Sequence, residues 1–534
     1  MKVLLVFPPS TIYGNDPTLP GVLPPLGLAY VAGYLQKHGY NDVHLLDARS
    51  LSGKRVIRKG NRALYGLTDE EFIAKLDEIN PDIVGISVMY TAYSGDAHNL
   101  ARIIKVKNPN IHVIFGGAHA SSFPELVLKD RNVDVVSHFE GEETMLELVR
   151  TYEQGNNITK VAGISYRGPD GKILKSEKRP FIKDMDSIPF PARHLIDMNM
   201  YKNDKPHTYH MRAPSSIMIT SRGCPQDCVY CSIKQVWGSK NFRERSPGNV
   251  VDEIEVLNKE YGIQEIAWLD DASGTRKKRL QAICDEIIKR KIDIKWTVPN
   301  GIAHWYLDEQ TLDKMKASGC YRVTFGIESG NVETRKFLGK PFKLEQAERM
   351  LRHANKLGMW TISTFILGFP FEDEKAIMET IDYAADCSTD MAVFYLLAPF
   401  PGTKVYESFK KEGLLNFDHI LDPTYSQKDE DFETIGESLA SGGVNTTYFT
   451  SEELNNFLAM AYRKFFRSRA KRFINPVHIL RKIKDFEDFM YASRLVGKGF
   501  GMVLDSTINT FRCQSIWKGD RRKLEEVRTD VLKN

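Results

Sequence analysis

The sequence of 534 residues predicts an α/β protein in three parts: a doubly wound front domain, a partial (β/α)6 barrel, and a mainly helical region at the end. Short apolar runs alternate with helical patterns over the first 150 residues, and the alternation resumes from Ser216 to about residue 405. Near-continuous apolar strands separated by helices are typical of parallel sheets covered on both faces. After about residue 410 the strand pattern gives way to basic, helical sequence. We therefore expect an α/β domain at 1–150, a linker at 151–213, a barrel at 214–409 and a helical region at 410–534.

The front domain shows five strand patterns with helical patterns between them. The strands are KVLLVFPP, DVHLLDA, DIVGISVMY, HVIFGG and VDVVSHFEGE. Doubly wound sheets bind ligands at the carboxyl ends of their strands. No GxGxxG motif follows any of these strands, so a dinucleotide is not expected there.

The linker contains a predicted hairpin, GISYRGPDGKILKS, with its turn at Asp170 and Gly171, followed by the proline-rich stretch SIPFPAR. Six further strand patterns, each with a helical pattern near it, then span about 200 residues, which suits a parallel barrel that is complete or partial. These strands are SIMITSRG, EIAWLDD, IKWTVPN, YRVTFGIES, TISTFILGFP and MAVFYLLAPF.

Composition indicates a soluble protein, which we expect to be cytoplasmic. No apolar run reaches the roughly 20 residues needed to span a bilayer, and Pro8 and Pro9 end the apolar N-terminal stretch. Seven cysteines, an odd number and mostly scattered, do not suggest a secreted disulfide framework.

The net charge of +4 is unevenly distributed along the chain. From residue 461 onward, 18 Lys and Arg stand against 8 Asp and Glu. The stretch RKFFRSRAKRF could be a solvated face, could favour an anionic substrate, or could make peripheral contact with an anionic membrane surface. We expect no nucleic-acid partner, because no RNA-binding module is evident.

Three of the seven cysteines, Cys224, Cys228 and Cys231, lie within GCPQDCVYC directly after the first barrel strand. Thiolates hold zinc or iron–sulfur clusters, and a structural zinc usually needs four protein ligands. A [4Fe–4S] cluster held by three cysteines leaves one iron open for a small molecule. The position matches the end of the barrel where active sites form.

This C-x3-C-x2-C loop, with Tyr230 before its last cysteine, resembles the signature of the radical S-adenosylmethionine (SAM) superfamily. The resemblance covers residues 216 to about 405. It implies that SAM binds the open iron, and that its reductive cleavage gives a 5′-deoxyadenosyl radical, with an electron supplied by a flavodoxin- or ferredoxin-type donor. By position it also implies that four strand-end residues contact SAM, although helix capping is an alternative for the first two: Asp270, Asp271, Glu328 and Ser329.

A front domain of this kind, ahead of such a core, resembles the cobalamin-binding domain of cobalamin-dependent radical SAM enzymes. The supporting segments are PPLGLAYVAGYL, GISVMYTAY, GGAHAS and FEGEET. They imply a cobalamin site at the strand ends, formed by Pro9, Met89, Tyr90, Gly116, Gly117, His119, Glu140, Gly141 and Glu142. The motif D-x-H-x-x-G is missing, so no histidine is expected on cobalt. For His119 and His138, packing is the alternative to a functional role.

The resemblance implies a methyltransferase that acts on an unactivated carbon through the 5′-deoxyadenosyl radical and methylcobalamin. Its substrate would be a small molecule or a lipid. One alternative is an oxidative enzyme similar to the anaerobic magnesium-protoporphyrin ester cyclases, which use the same cofactors. The other is a non-catalytic cobalamin or metal carrier. Cys284, Cys320 and Cys387 are expected in the core, with the barrel interior as a second possibility for Cys320.

Overall fold

A computed structural model describes residues 1–13, 23–50, 56–59, 62–201, 210–238, 240–340, 342–415, 422–424, 444–474 and 476–497. Within these ranges the expected α/β front domain, six-stranded core and helical C-terminal part are all present. The predicted fold class is therefore confirmed.

The front domain is built on a seven-stranded sheet with the order β10-β9-β8-β7-β6-β1-β3. Its strands are β1 (Val3–Phe7), β3 (Val43–Asp47), β6 (Ile83–Ser87), β7 (His112–Gly116), β8 (Val135–Ser137), β9 (Ile164–Arg167) and β10 (Ile173–Lys175). The first five are parallel, and Val3 to Val6 have no exposed surface because helices cover both faces. The helices are α1 (Leu26–Lys37), α2 (Asp69–Ile79), α3 (Ser94–Lys107), α4 (Ala118–Ser122), α5 (Pro124–Val127) and α6 (Glu142–Glu153).

The strand order places the ligand crevice of this domain. Numbered by their order along the chain, the five parallel strands lie in the sheet in the order 2-1-3-4-5, so the connections leave β1 and β6 in opposite directions. In doubly wound sheets ligands bind at this switch point, beyond the carboxyl ends of the two strands. Pro9 follows β1, and Met89 and Tyr90 follow β6, so these three residues lie at the switch point.

Two features at the margins of the front domain depend on non-local pairing. The linker hairpin is confirmed, and β9 pairs antiparallel with β8, so the hairpin extends the front sheet. A second, three-stranded sheet has the order β2-β5-β4 and was not predicted; its strands are β2 (Ser10–Tyr13), β4 (Val56–Lys59) and β5 (Arg62–Tyr65). These strands are short and partly polar, so the sequence contains no apolar run that would predict them.

The core is a six-stranded, fully parallel sheet with the order β11-β14-β15-β16-β17-β18, which follows the chain. The strands are β11 (Ser215–Met218), β14 (Glu265–Trp268), β15 (Lys295–Ile302), β16 (Cys320–Glu328), β17 (Trp360–Leu367) and β18 (Met391–Leu396). Within the described part of the chain, β11 and β18 do not pair with each other, so the barrel is partial. Its helices are α7 (Ile233–Trp237), α8 (Pro247–Tyr261), α9 (Lys277–Lys289), α10 (Glu309–Ala317), α11 (Val332–Leu338), α12 (Leu344–Lys356) and α13 (Glu374–Asp386).

Helix α1 of the front domain reaches the core at the β11 side. Leu26 and Tyr30 of α1 pack with Ile217 of β11 and Ala267 of β14, together with residues of the linker. The front domain therefore contacts the barrel near the strand that leads into the cysteine loop.

The C-terminal part packs on the barrel. It comprises α14 (Lys404–Lys411), α15 (Ser451–Ile474), α16 (Pro476–Lys482) and a further helix at 486–497. The buried residue Tyr491 packs against Trp360 at the start of β17, and Lys482 forms a buried ion pair with Asp390 before β18. These contacts place the tail at the amino ends of the strands.

Some basic side chains of the C-terminal part bind groups elsewhere in the same chain. Lys464 pairs with Asp382, and Arg469 donates to the carbonyl oxygens of Ala384 and Cys387. Membrane contact by the tail stays a prediction. Among the described residues, no helix combines the length and apolar character that crossing a membrane requires.

Candidate active site

The cysteine loop begins where β12 (Ser221–Arg222) ends and closes at β13 (Arg243–Glu244), which pairs antiparallel with β12. Gly223 has a φ of 84°, and a Cβ on it would lie 1.7 Å from the carbonyl oxygen of Asn241. Only glycine fits this close approach between the two ends of the loop.

Cys224, Cys228 and Cys231 are partly exposed and form no disulfide. Burial raises the pKa of the Cys228 thiol to about 12, the other two thiols act in the same direction, and Lys340 opposes the shift. Thiols with such mutual influence favour a bound cation that stabilises their thiolates. Among the described residues, no three His, Cys, Asp or Glu side chains converge as ligands of a single metal ion. A [4Fe–4S] cube needs a wider arrangement, because each thiolate binds a different iron.

Cys284, Cys320 and Cys387 are buried in the core, as expected. The Cys320 side chain has no exposed surface and packs with apolar residues of the barrel strands and helices.

Glu328 ends β16 and joins the cysteine loop to the barrel. Its Oε1 accepts hydrogen bonds from the Tyr230 hydroxyl at 3.0 Å and from Nζ of Lys340 at 2.5 Å, and its Oε2 lies 3.3 Å from Oγ1 of Thr364. The Lys340 ammonium also donates to the carbonyl oxygen of Gly326 at 3.1 Å. The structure thus places Tyr230 and Glu328 together, and it adds Lys340 and Thr364, which the sequence did not single out.

Asp270 and Asp271 support the start of the cysteine loop. Asp270 is buried and accepts hydrogen bonds from the backbone and hydroxyl of Thr220 and from the hydroxyl of Ser221. One oxygen of Asp271 accepts from the backbone of Gly223 and from Nε1 of Trp237, both at 2.9 Å, and burial raises the pKa of Asp271 to about 6. The capping alternative does not describe these bonds, because both carboxylates orient the loop.

Ser329 lies behind the strand end. Its hydroxyl is buried and lies 2.8 Å from Oγ1 of Thr380 on α13, and it accepts from the backbone of Asn331. Contact between SAM and Asp270, Asp271 or Ser329 stays a prediction.

At the switch point of the front domain, large apolar side chains face solvent and small residues leave room. Met89 and Tyr90 are 45% and 56% exposed, and a Cβ on Gly116 would meet nothing within 4 Å. Gly117 has a φ of 96°, and a Cβ there would lie 2.8 Å from the carbonyl oxygen of Val88. Pro9 is buried beneath Gly66. An open, partly apolar edge of this kind fits a bulky ligand such as a corrin.

The two histidines of this edge are packed. His119 is 3% exposed, its Nδ1 lies 3.1 Å from the hydroxyl of Thr91, and burial lowers its pKa to about 3. Nε2 of His138 lies 2.9 Å from the hydroxyl of Ser165, and burial lowers its pKa to about 4. Both rings are therefore neutral at physiological pH.

Glu140 and Glu142, which flank Gly141, pair with arginines at the base of the cysteine loop. Arg222 donates to Glu140 at 2.7 Å and to Glu142 at 2.6 Å, and Arg243 donates to both oxygens of Glu140 at 2.9 Å. The sequence gives no signal for these pairs, because the partners are 80 to 103 residues apart. Whether either glutamate also contacts cobalamin stays a prediction.

Comparison with known proteins finds matches for both the front domain and the barrel. Residues 17–149 match the family model for a B12 binding domain, and residues 218–384 match that of the radical SAM superfamily. An uncharacterised methyltransferase of Pyrococcus horikoshii is 32% identical over 502 residues, which are 93% of this chain and 98% of the relative. The cytidylyl-2-hydroxyethylphosphonate methyltransferase of Streptomyces wedmorensis is also 32% identical, over 79% of this chain and 84% of its own.

Two further proteins are similar to this chain, one in sequence and one in structure. The anaerobic magnesium-protoporphyrin IX monomethyl ester cyclase of Rubrivivax gelatinosus is 29% identical, over 76% of this chain and 70% of its own. The radical SAM methyltransferase TsrM of Kitasatospora setae, solved with cobalamin and a [4Fe–4S] cluster bound, has a TM-score of 0.63 at 17% identity and covers 90% of both chains. That similarity shows the fold.

The two domains and the three-cysteine loop define a radical SAM enzyme with a B12-binding domain. The chain belongs to the cobalamin-dependent radical SAM family, among whose members are the methyltransferases above. Its cofactors are those expected from the sequence: a [4Fe–4S] cluster, SAM and cobalamin. The chain is an enzyme, so the alternative of a non-catalytic carrier is wrong.

Proposed function

We propose that this enzyme transfers a methyl group from SAM to an unactivated carbon atom of a small molecule or lipid. One observation carries the proposal. The cysteine loop lies at the carboxyl ends of the barrel strands, and Arg222 at its base donates hydrogen bonds to Glu140 and Glu142 of the B12-binding domain. Two relatives of 32% identity are methyltransferases, which supports the same reaction class.

When bound, the cluster and SAM would supply the radical that removes a hydrogen atom, and cobalamin would supply the methyl group. The chain's own residues hold these groups in place. Cys224, Cys228 and Cys231 would be the iron ligands. Tyr230 and Lys340 fix the carboxylate of Glu328 at the edge of the site, where it can accept hydrogen bonds from SAM.

The test uses the reconstituted protein, strong reductant and SAM labelled in its methyl group, under strict exclusion of oxygen. We expect 5′-deoxyadenosine, and label that moves from SAM to the bound cobalamin even before the substrate is known. Cys228→Ala should abolish 5′-deoxyadenosine formation and leave cobalamin binding unchanged, because the two sites are in separate domains. Formation of 5′-deoxyadenosine without label on cobalamin would instead favour the oxidative reaction of the cyclase relatives.

We further propose that the electron for this reaction comes from an acidic one-electron carrier that contains a flavin or an iron–sulfur cluster. Lys234, Lys240 and Lys404 surround Asp227, which directly precedes Cys228. Their side chains are 30%, 52% and 69% exposed, and a single carboxylate leaves this surface positive. A positive surface beside the cluster loop suits an acidic partner.

With flavodoxin as donor, Lys240→Glu with Lys404→Glu should slow 5′-deoxyadenosine formation about tenfold or more at low salt, since electrostatic steering changes association rates by that order. With dithionite, the rate should match that of the wild type. Lys259→Glu, on α8 and paired with Glu255, is the matched control with a distant exposed lysine. An equal loss with both reductants, or none with flavodoxin, would exclude this docking site.

A further inference from the structure

The base of the cysteine loop carries an unfavourable charge arrangement. Arg222 of β12 stands directly opposite Arg243 of β13, in a ladder of only two residue pairs. Like charges directly opposite each other destabilise a strand pair. All three cysteines lie between these two arginines in sequence, so the ladder that closes their loop needs negative charge from elsewhere.

The front domain supplies that charge. Glu140, just after β8, accepts a hydrogen bond from Arg222 at 2.7 Å and two from Arg243 at 2.9 Å, so one carboxylate bridges both strands. Glu142, the first residue of α6, accepts from Arg222 at 2.6 Å. Two carboxylates thus balance two guanidinium groups. The linker contacts this group of four charged side chains through the backbone of Ile182, which donates to Glu140 and accepts from Arg243.

In the docked structure these four charged side chains are almost inaccessible to water. The side chains of Arg222 and Arg243 are 7% and 9% exposed, and those of Glu140 and Glu142 are 5% and 4% exposed. The guanidinium of Arg222 also lies 5.1 Å from the ring centroid of Tyr30 on α1. Removal of one partner from a buried ion pair is strongly destabilising, so the two arginines depend on the two glutamates for the stability of the closed loop base.

We infer that Glu140 and Glu142 are positioning residues for the iron–sulfur cluster: they complete the base of the cysteine loop, which takes up its cluster-binding form only when the front domain is docked. The inference rests on the proposed function in that the three cysteines hold the cluster. It gives these glutamates a different role from the cobalamin contact that the sequence suggests.

Such an arrangement couples the two cofactor sites. The strand that leads to Cys224 is held by the same loop, residues 138–142, that lies at the carboxyl edge of the B12-binding sheet. If the front domain moved away from the barrel, the cysteine loop would lose these contacts. Radical formation would therefore be confined to the state in which the two domains are docked.

The test uses a double variant that carries both Glu140→Gln and Glu142→Gln. The control variant is Asp390→Asn. Asp390 is an equally buried carboxylate whose partner is Lys482, at the amino ends of the barrel strands. After anaerobic reconstitution we expect the double variant to hold about tenfold less iron per chain, because a buried charge pair is lost at the loop. Its affinity for cobalamin should stay within about twofold of wild type, and Asp390→Asn should keep its full iron content. When Glu142→Asp replaces Glu142→Gln in the double variant, one negative charge is retained, and this variant should recover part of the lost iron.

The opposite pattern, normal iron with weakened cobalamin binding, would overturn the inference and favour direct cobalamin contact. Normal iron and normal cobalamin would overturn it as well. If the double variant does not fold, hydrogen exchange of the cluster-free wild type decides: residues 221–224 and 242–244 should exchange together with 138–142, and independent exchange would exclude the coupling. If the wild type itself assembles no cluster, the proposed function fails first.

Discussion

Tyr230 donates a hydrogen bond from its hydroxyl to Oε1 of Glu328 at 3.0 Å, and so joins the cysteine loop to the end of β16, 98 residues further along the chain. Glu328 has a φ of 64°. This conformation costs a residue other than glycine on the order of 1–3 kcal/mol, and it persists only where surrounding contacts enforce it. Tyr230 and Lys340 are contacts of that kind. These contacts fix the position of the Glu328 carboxylate, and its contact with SAM stays a prediction.

Replacing Tyr230 by Phe tests this contact. The ring and its packing remain, so the iron content should not change. The rate of 5′-deoxyadenosine formation should fall about tenfold, because a hydrogen bond to a charged group contributes about 1.5–3 kcal/mol. Iron analysis and product chromatography measure the two effects, and a parallel loss of iron would show that Tyr230 supports the loop instead.

Gly223→Ala should prevent cluster assembly. The added Cβ would lie 1.7 Å from the carbonyl oxygen of Asn241, so the two ends of the cysteine loop must separate. Gly155→Ala is the matched control: it also has a positive φ, of 63°, but nothing lies within 4 Å of its Cβ. We expect the control to lose about 1 kcal/mol of stability and to bind iron normally. Normal iron in Gly223→Ala would contradict the loop geometry.

Glu372 should make stability depend on pH near neutrality. It is buried, its Oε2 accepts from the backbone of Gly368 and Phe369, and burial raises its pKa to about 7. Because the fold favours the protonated acid, its contribution is complete below the ordinary pKa near 4.5 and is lost as the pH rises through 7. Glu372→Gln keeps a neutral side chain, so the variant should be more stable than wild type above pH 7, by up to about 3 kcal/mol.

Denaturant unfolding of both proteins from pH 5 to pH 8 measures this difference. The two curves should lie close together at pH 5, diverge as the pH rises to 7, and stay apart above pH 7. A variant that is less stable at pH 8 would mean that the ionised carboxylate is the favoured form.

Lys482→Met tests whether the basic tail is part of the folded core. It removes the partner of Asp390, which lies 2.6 Å away and has no exposed surface, and should cost about 3–5 kcal/mol. The double variant with Asp390→Asn should recover part of that loss. In the folded protein the rate of SAM cleavage should not change, because this pair lies at the amino ends of the strands. Unfolding and rate measurements would contradict the packing if the single variant were as stable as wild type.

The order of the elements could be predicted because the signal for each is local. Runs such as TISTFILGFP and MAVFYLLAPF are apolar throughout, and a strand covered on both faces requires that. The small sheet of β2, β5 and β4 escaped prediction because β2 pairs with a strand about 50 residues further along the chain, and all three strands are short and partly polar.

The amino-acid sequence by itself indicated the class of enzyme, because the loop with Cys224, Cys228 and Cys231 resembles the radical SAM signature, and this spacing lets one loop bind three corners of the cluster. It also indicated the parallel strands of both sheets, since burial on both faces dictates composition along each strand. Only the tertiary structure decided that Glu140 and Glu142 face Arg222 and Arg243, and that Lys340 holds Glu328. A buried charge needs its partner in space and not in sequence, and nothing local to a glutamate in the front domain indicates an arginine beside a cysteine loop 80 residues later.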